Sequence, residues 1–155
     1  MPTLTLPGDL NSLEPLTDLV LEQAELAGLD TRATYQLRLA VDEIATNIIL
    51  HGYQEQSLQG EIVVTAEVND QSLVVTLEDT APAYNPLERD INRVKEDFEK
   101  PLHERSIGGL GVYFAIHAVS EFHYEWRNGR NRNIFVVHRP NPSATAGSAA
   151  LSAHA

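Results

Sequence analysis

Apolar and polar positions change their period several times along this chain, and each change marks an element. Leu37, Val41, Ile44 and Ile48 recur at helical spacing, which predicts an amphipathic helix with that stripe turned to a core. Asp30 or Thr31 begins this helix, and it ends near His51-Gly52. An earlier helix, capped by Asn11 or Ser12, runs to about Ala27, with Gly28 as its stop signal. Leu4-Thr5-Leu6 reads as a short strand, stopped by Pro7-Gly8-Asp9.

The period then drops to two. Ile62, Val64, Ala66 and Val68 alternate with more polar neighbours between Glu61 and Val68, and Leu73 to Leu77 is the return strand across the Asn69-Asp70 turn. From Thr80 to Ile107 the pattern dissolves into prolines and charges, with a weak helical fragment near Ile91 to Phe98. Long irregular connections of this kind are functional lids or disordered segments. Glycines lead into a helix from about Leu110 to Val119. Phe122 to Arg127 and Asn133 to His138 form a second hairpin across Asn128-Gly129-Arg130-Asn131. The Ser-, Ala- and Gly-rich residues 141–155 read as a disordered tail, which leaves 1–140 as the folded domain. Antiparallel neighbours with helices on one face make this an α+β chain, a two-layer α/β sandwich.

Composition narrows the setting. The 155 residues suit one domain with a real core, and a hydrophobic fraction of 43% fits a soluble globular protein. No cysteine is present, which excludes disulfides and thiolate metal sites and agrees with the cytoplasm. No signal peptide or membrane-length apolar run is apparent. A net charge of −11 argues against binding nucleic acid through its phosphates. An acidic domain that binds a nucleotide must hide some positive charge or recruit a metal.

Two segments carry candidate chemistry. Glu43, Asn47 and His51 are spaced four apart and form a column on the flank of the buried helix. That column is either a solvated edge or the polar wall of a cleft. His51 either lines such a site or bonds a backbone carbonyl near the helix end. Gly108, Gly109 and Gly111 stand at a loop-to-helix junction, which either needs positive φ or lets phosphates approach backbone N–H groups. Asp79 ends an apolar strand; it is either a turn aspartate or an acceptor for an exocyclic amine. The glycine cluster lacks the Lys-Ser/Thr ending of a P-loop, and no βαβ unit near the start supports a Rossmann fold. The other histidines have no metal-ligand spacing, and Tyr124 and Trp126 read as packing residues of the last hairpin.

Taken in order, these segments resemble the motifs of one family. Leu39 to Tyr53 resembles the N-box of the GHKL ATPases, in particular the branch of anti-sigma-factor serine kinases. Asp79-Thr80-Ala81-Pro82-Ala83-Tyr84-Asn85-Pro86 resembles the next box, and Gly108-Gly109-Leu110-Gly111-Val112 the closing glycine box. The resemblance covers about Leu4 to Arg139. It implies the Bergerat (histidine-kinase-like ATPase) fold, with ATP held between helices and a mobile lid over a mixed, mostly antiparallel sheet.

Carried over by position, the resemblance implies that Glu43 is the general base for a serine or threonine hydroxyl and that Asn47 ligates Mg²⁺. It implies that Asp79 reads the adenine amine and that Gly108, Gly109 and Gly111 shape the phosphate loop. Ala81 stands where the family usually has glycine, so its methyl is expected to crowd the base. Arg105 either reaches the γ-phosphate or is a solvated lid charge. The implied function is an ATP-dependent serine/threonine protein kinase and anti-sigma factor, working as a homodimer. Its substrate would be an antagonist of the STAS type, with a sigma factor as second partner. The alternative is a nucleotide-binding interaction module of the same fold without useful phosphotransfer.

Overall fold

The computed structural model describes residues 1–88 and 109–140. The expected fragment at Ile91 to Phe98, the lid with Arg105, Gly108 of the glycine box and the tail lie outside these residues.

Among the described residues five strands build one sheet: β1 (Thr3–Pro7), β2 (Glu61–Val68), β3 (Ser72–Asp79), β4 (Glu121–Arg127) and β5 (Arg130–His138). Their spatial order is β1-β2-β3-β5-β4. All four pairings among the described residues are antiparallel, so the parallel component of a mixed sheet is not among them. Helices α1 (Leu13–Leu26) and α2 (Thr31–Asn47) pack on the sheet, with α1 against β2 and β3 and α2 against β5. A third helix, α3 (Gly109–Ala118), packs against α2. The core between the layers is continuous: Leu37, Val41, Ile44 and Ile48 of the predicted stripe are buried with Leu73, Val75, Leu77 and Phe135 of the sheet. Among the described residues no helix is long and apolar enough to cross a membrane.

Local chemistry explains most boundaries. Asp30 caps α2, its Oδ1 accepting from the Ala33 N–H at 2.7 Å. Gly28 has φ +72°, the left-handed conformation of a helix stop. The start of α1 differs from expectation. A 3-10 turn, Leu10–Ser12, precedes the helix and is capped by Asp9, which accepts from the Asn11 N–H. Ser12 has helical φ/ψ and makes no capping bond. It is buried, and its hydroxyl donates to the Pro7 carbonyl at 2.5 Å.

The second hairpin is tighter than expected. Asn128 and Gly129 have φ of 54° and 73°, as a two-residue type I′ turn requires. Arg127 therefore pairs with Arg130, and Asn131 is a strand residue rather than part of the turn. The helix carrying the N-box also runs further than expected. Beyond Asn47 it widens into a π-helical segment, Ile48–Gln54, seen in the bond from the Glu55 N–H to the Leu50 carbonyl at 2.9 Å. Such widened turns are rare and concentrate at functional sites.

Candidate nucleotide site

The inner face of the sheet is apolar along most of its length and polar at one end. Leu73, Val75 and Leu77 of β3 lead to Asp79 by strict alternation, while Val137 and Phe135 of β5 lead to Asn133 and Asn131. Register puts Asp79 opposite Asn131 and Leu77 opposite Asn133. The widened end of α2 stands over this polar corner. Between them lies a cavity of about 310 Å³, lined by Asn47, His51 and Gly52 from the helix side and by Asp79, Ala81, Tyr84 and Asn133 from the sheet side.

Asp79 is 1% exposed. Its Oδ1 accepts from the Ala81 N–H at 3.0 Å and from Asn131 Nδ2 at 2.8 Å. Its Oδ2 is buried and has no partner among the described residues. Burial raises the Asp79 pKa above the ordinary carboxylate value, with the bonds from Asn131 and Ala81 opposing that shift. A buried acceptor without a partner is costly unless a donor arrives. Asn133, also on the cavity wall, has a buried and unpartnered Oδ1. The corner thus holds free polar capacity of the kind that a heterocyclic base can satisfy.

Ala81 is buried and lines the cavity. Its methyl lies only 2.9 Å from where a Gly52 Cβ would stand, so glycine at 52 gives the methyl a seat on the helix side. His51 lines the cavity, but its Nδ1 is 2.8 Å from Glu55 Oε1 rather than on a backbone carbonyl.

Glu43 does not line this cavity. It sits one turn before Asn47, where α3 begins, and a Cβ at Gly111 would lie 3.0 Å from its Oε2. Gly109 is the first residue of α3. The structure therefore brings Asn47, Asp79 and Ala81 to one cavity, with Glu43 and Gly111 as a neighbouring pair; Arg105 and Gly108 are outside the described residues.

Sequence reading missed Asn131, Asn133 and Gly52. The available signal for the two asparagines was an amide at each inward position of a strand whose next inward residues are Phe135 and Val137. Tyr124 was expected to pack, and it does more: its hydroxyl donates to Asn131 Oδ1 at 2.5 Å. Trp126 is 49% exposed rather than packed.

The fold agrees with sequence comparison. Residues 6–136 match the histidine kinase-like ATPase domain, and the chain belongs to that family. It is also similar to the serine-protein kinase RsbW of Bacillus licheniformis, at 24% identity over 110 residues, 67% of this chain and 68% of that protein. These comparisons support the GHKL superfamily and the anti-sigma kinase branch inferred from the motifs.

Proposed function

We propose that this chain is an ATP-dependent serine/threonine protein kinase of the anti-sigma type, acting in the cytoplasm on a STAS-type antagonist. The observation that carries the reading is the buried, unpartnered Oδ2 of Asp79 on the wall of a cavity that Asn47 also lines. An adenine amine supplies the donor that this oxygen lacks. The base end of the cavity is then the Asp79 corner, and the phosphates run past Asn47 toward Glu43 and the start of α3.

The cavity-lining residues among those described include no Lys or Arg, and a triphosphate in an acidic protein needs its charge neutralised. Asn47 fits one position of a Mg²⁺ site, its amide oxygen being a hard donor. Among the described residues no cluster of three His, Asp or Glu is arranged to hold a metal, and Asn47 is the residue that would hold the ion. Mg²⁺ bound there would offset the charge of the transferring phosphoryl group. The chain's own chemistry is proton transfer and positioning. The Glu43 carboxylate takes the proton of the acceptor hydroxyl. That oxygen forms the new bond to the γ-phosphorus as the bridging β–γ bond breaks, and ADP departs.

In this reading the protein is a homodimer that also binds a sigma factor, and phosphorylation of the antagonist decides which partner it holds. The similarity to a serine-protein kinase supports the kinase part of this reading. The test compares wild type with Glu43→Gln against STAS-type proteins of the same genome, with phosphoserine or phosphothreonine located by mass spectrometry. Glu43→Gln should bind ATP and lose phosphotransfer by about 100-fold or more, the usual contribution of a general base. Equal transfer by both proteins removes Glu43 from the mechanism. Binding of an antagonist without any transfer by wild type favours the interaction module.

A further inference from the structure

Asn131 lies on β5 directly opposite Asp79 and is 3% exposed. Its amide ties the Asp79–Tyr84 stretch to Tyr124 of β4. Nδ2 donates to Asp79 Oδ1 at 2.8 Å, with the Ala81 and Pro82 carbonyls at 3.1 and 3.2 Å as further acceptors. Oδ1 accepts from the Tyr84 N–H at 3.0 Å and from the Tyr124 hydroxyl at 2.5 Å. Both ends of the amide are therefore engaged, as buried polar groups need to be. The segment that receives these bonds, Ala81 to Tyr84, lines the cavity.

We propose that Asn131 is a positioning residue for purine recognition: it engages one oxygen of Asp79 so that the other stays free, and it anchors the Ala81–Tyr84 wall to the edge strand through Tyr124. The proposal rests on the nucleotide reading of the cavity. With Asn131 in place, Oδ1 receives two donors and Oδ2 none among the described residues. Without it, the Ala81 N–H alone is left on Oδ1, and one bond fixes the plane of the carboxylate less tightly than two. The free acceptor then no longer points one way. The Ala81 and Pro82 carbonyls lose a common donor at the same time. A donor to the carboxylate also favours its ionised form. Among the described residues, Ile62 stands opposite Asp79 on β2, Tyr124 approaches from β4 through Asn131, the Tyr53 hydroxyl bonds the adjacent Thr80 N–H, and His51 lines the same cavity from the π-helical segment.

The test measures binding of ATP and of purine riboside triphosphate, which lacks the 6-amine, by calorimetry across pH. Wild type should prefer ATP by about tenfold or more, the worth of a hydrogen bond to a charged group. Asn131→Ala should weaken ATP more than purine riboside triphosphate and bring the preference within about threefold. Its ATP affinity should also begin to fall at a higher pH than that of wild type. A purely structural role would weaken both nucleotides equally and leave the pH limb in place. Tyr124→Phe removes only the hydroxyl on Asn131 Oδ1 and should reduce the same preference by a smaller factor; should Asn131→Ala not fold, an unchanged preference in Tyr124→Phe overturns the proposal. A wild-type protein that binds both nucleotides equally refutes the Asp79 reading and this proposal with it. Preference in wild type that persists in full, with its pH limb, in Asn131→Ala overturns the proposal alone.

Discussion

Gly111 faces the carboxylate of Glu43 so closely that a Cβ there would stand 3.0 Å from Oε2 and 3.2 Å from Cδ. The absence of a side chain at Gly111 is what gives the proposed base on α2 its place against α3. Gly111→Ala should therefore act on Glu43 before it acts on the fold. The carboxylate is the end of a flexible side chain and can move aside, while alanine gains up to about 1 kcal/mol over glycine in a helix. The expected outcome is an unchanged or higher melting temperature, ATP binding close to wild type, and phosphotransfer reduced by about tenfold or more, because a misplaced catalytic group is costly. Full transfer activity in Gly111→Ala would remove the packing argument.

Asp79→Asn separates binding from stability. Burial raises the Asp79 pKa in the folded protein. A raised carboxyl pKa means that its favourable contribution is fully present below the unfolded pKa and is lost as pH rises through the folded one. At neutral pH the wild-type protein thus carries the cost of a buried charge, which asparagine does not. The variant can keep its Oδ1 toward Asn131 and the Ala81 N–H, with Nδ2 in the place of the unpartnered oxygen. Thermal melts should show Asp79→Asn at least as stable as wild type at pH 7, with any advantage shrinking as the pH is lowered. Nucleotide binding moves the other way: the amide donates where the adenine amine needs an acceptor, so ATP affinity should fall by about tenfold or more at pH 7. Wild-type ATP affinity should itself decline as pH falls through the raised Asp79 pKa. Undiminished ATP binding by Asp79→Asn contradicts the assignment.

Gly52 and Ala81 should behave as a pair. A methyl on Gly52 would meet the Ala81 Cβ at 2.9 Å, and neither group is flexible enough to yield without a backbone shift. Gly52→Ala should cost about 1–3 kcal/mol, as overpacking of a core does. Adding Ala81→Gly moves the methyl from one side of the contact to the other and should restore most of that loss. Urea denaturation of the two single variants and the double variant gives the coupling directly; simple additivity would mean that the two positions do not share this space.

Tyr53→Phe tests the support behind the site. The buried Tyr53 hydroxyl donates to the Glu61 carbonyl at 2.7 Å and accepts from the Thr80 N–H at 2.9 Å. Removing it leaves both backbone groups without that partner, an expected loss of about 1–3 kcal/mol in denaturant unfolding. Thr80 follows Asp79 directly, so ATP affinity should also fall modestly. A variant as stable as wild type would show that the hydroxyl is dispensable.

Much of the scaffold was legible along the chain. The stripe Leu37, Val41, Ile44, Ile48 is buried as its spacing predicts, and the alternation from Ile62 to Ala66 marks the inner face of β2. Gly28 stops α1, and Asn128-Gly129 turns the last hairpin. The motifs at Glu43–Asn47, Asp79 and Gly111 also led to the right superfamily. Ser12 stands at the N-cap position of α1 but makes no capping bond, and Asp9 caps the preceding turn instead; Asp9, Asn11 and Ser12 are all capping residue types. The choice among them followed from a 3-10 turn and from the partner that Ser12 finds in Pro7.

The sequence by itself determined what is local: period, turn chemistry and the order of the motifs. These follow from side-chain spacing and from the few residues that tolerate positive φ. Only the tertiary structure decided what meets across the chain. Asp79 and Asn131 are separated by 52 residues, and only the pairing of β3 with β5 makes them partners. The same holds for Ala81 seated against Gly52 and for Gly111 set against Glu43. No local pattern encodes these contacts, because each depends on strands and helices that become neighbours only when the core closes. The free oxygen of Asp79 is the clearest case: its residue type is written in the sequence, but whether that oxygen is spent or available is set by the partners that folding brings to it.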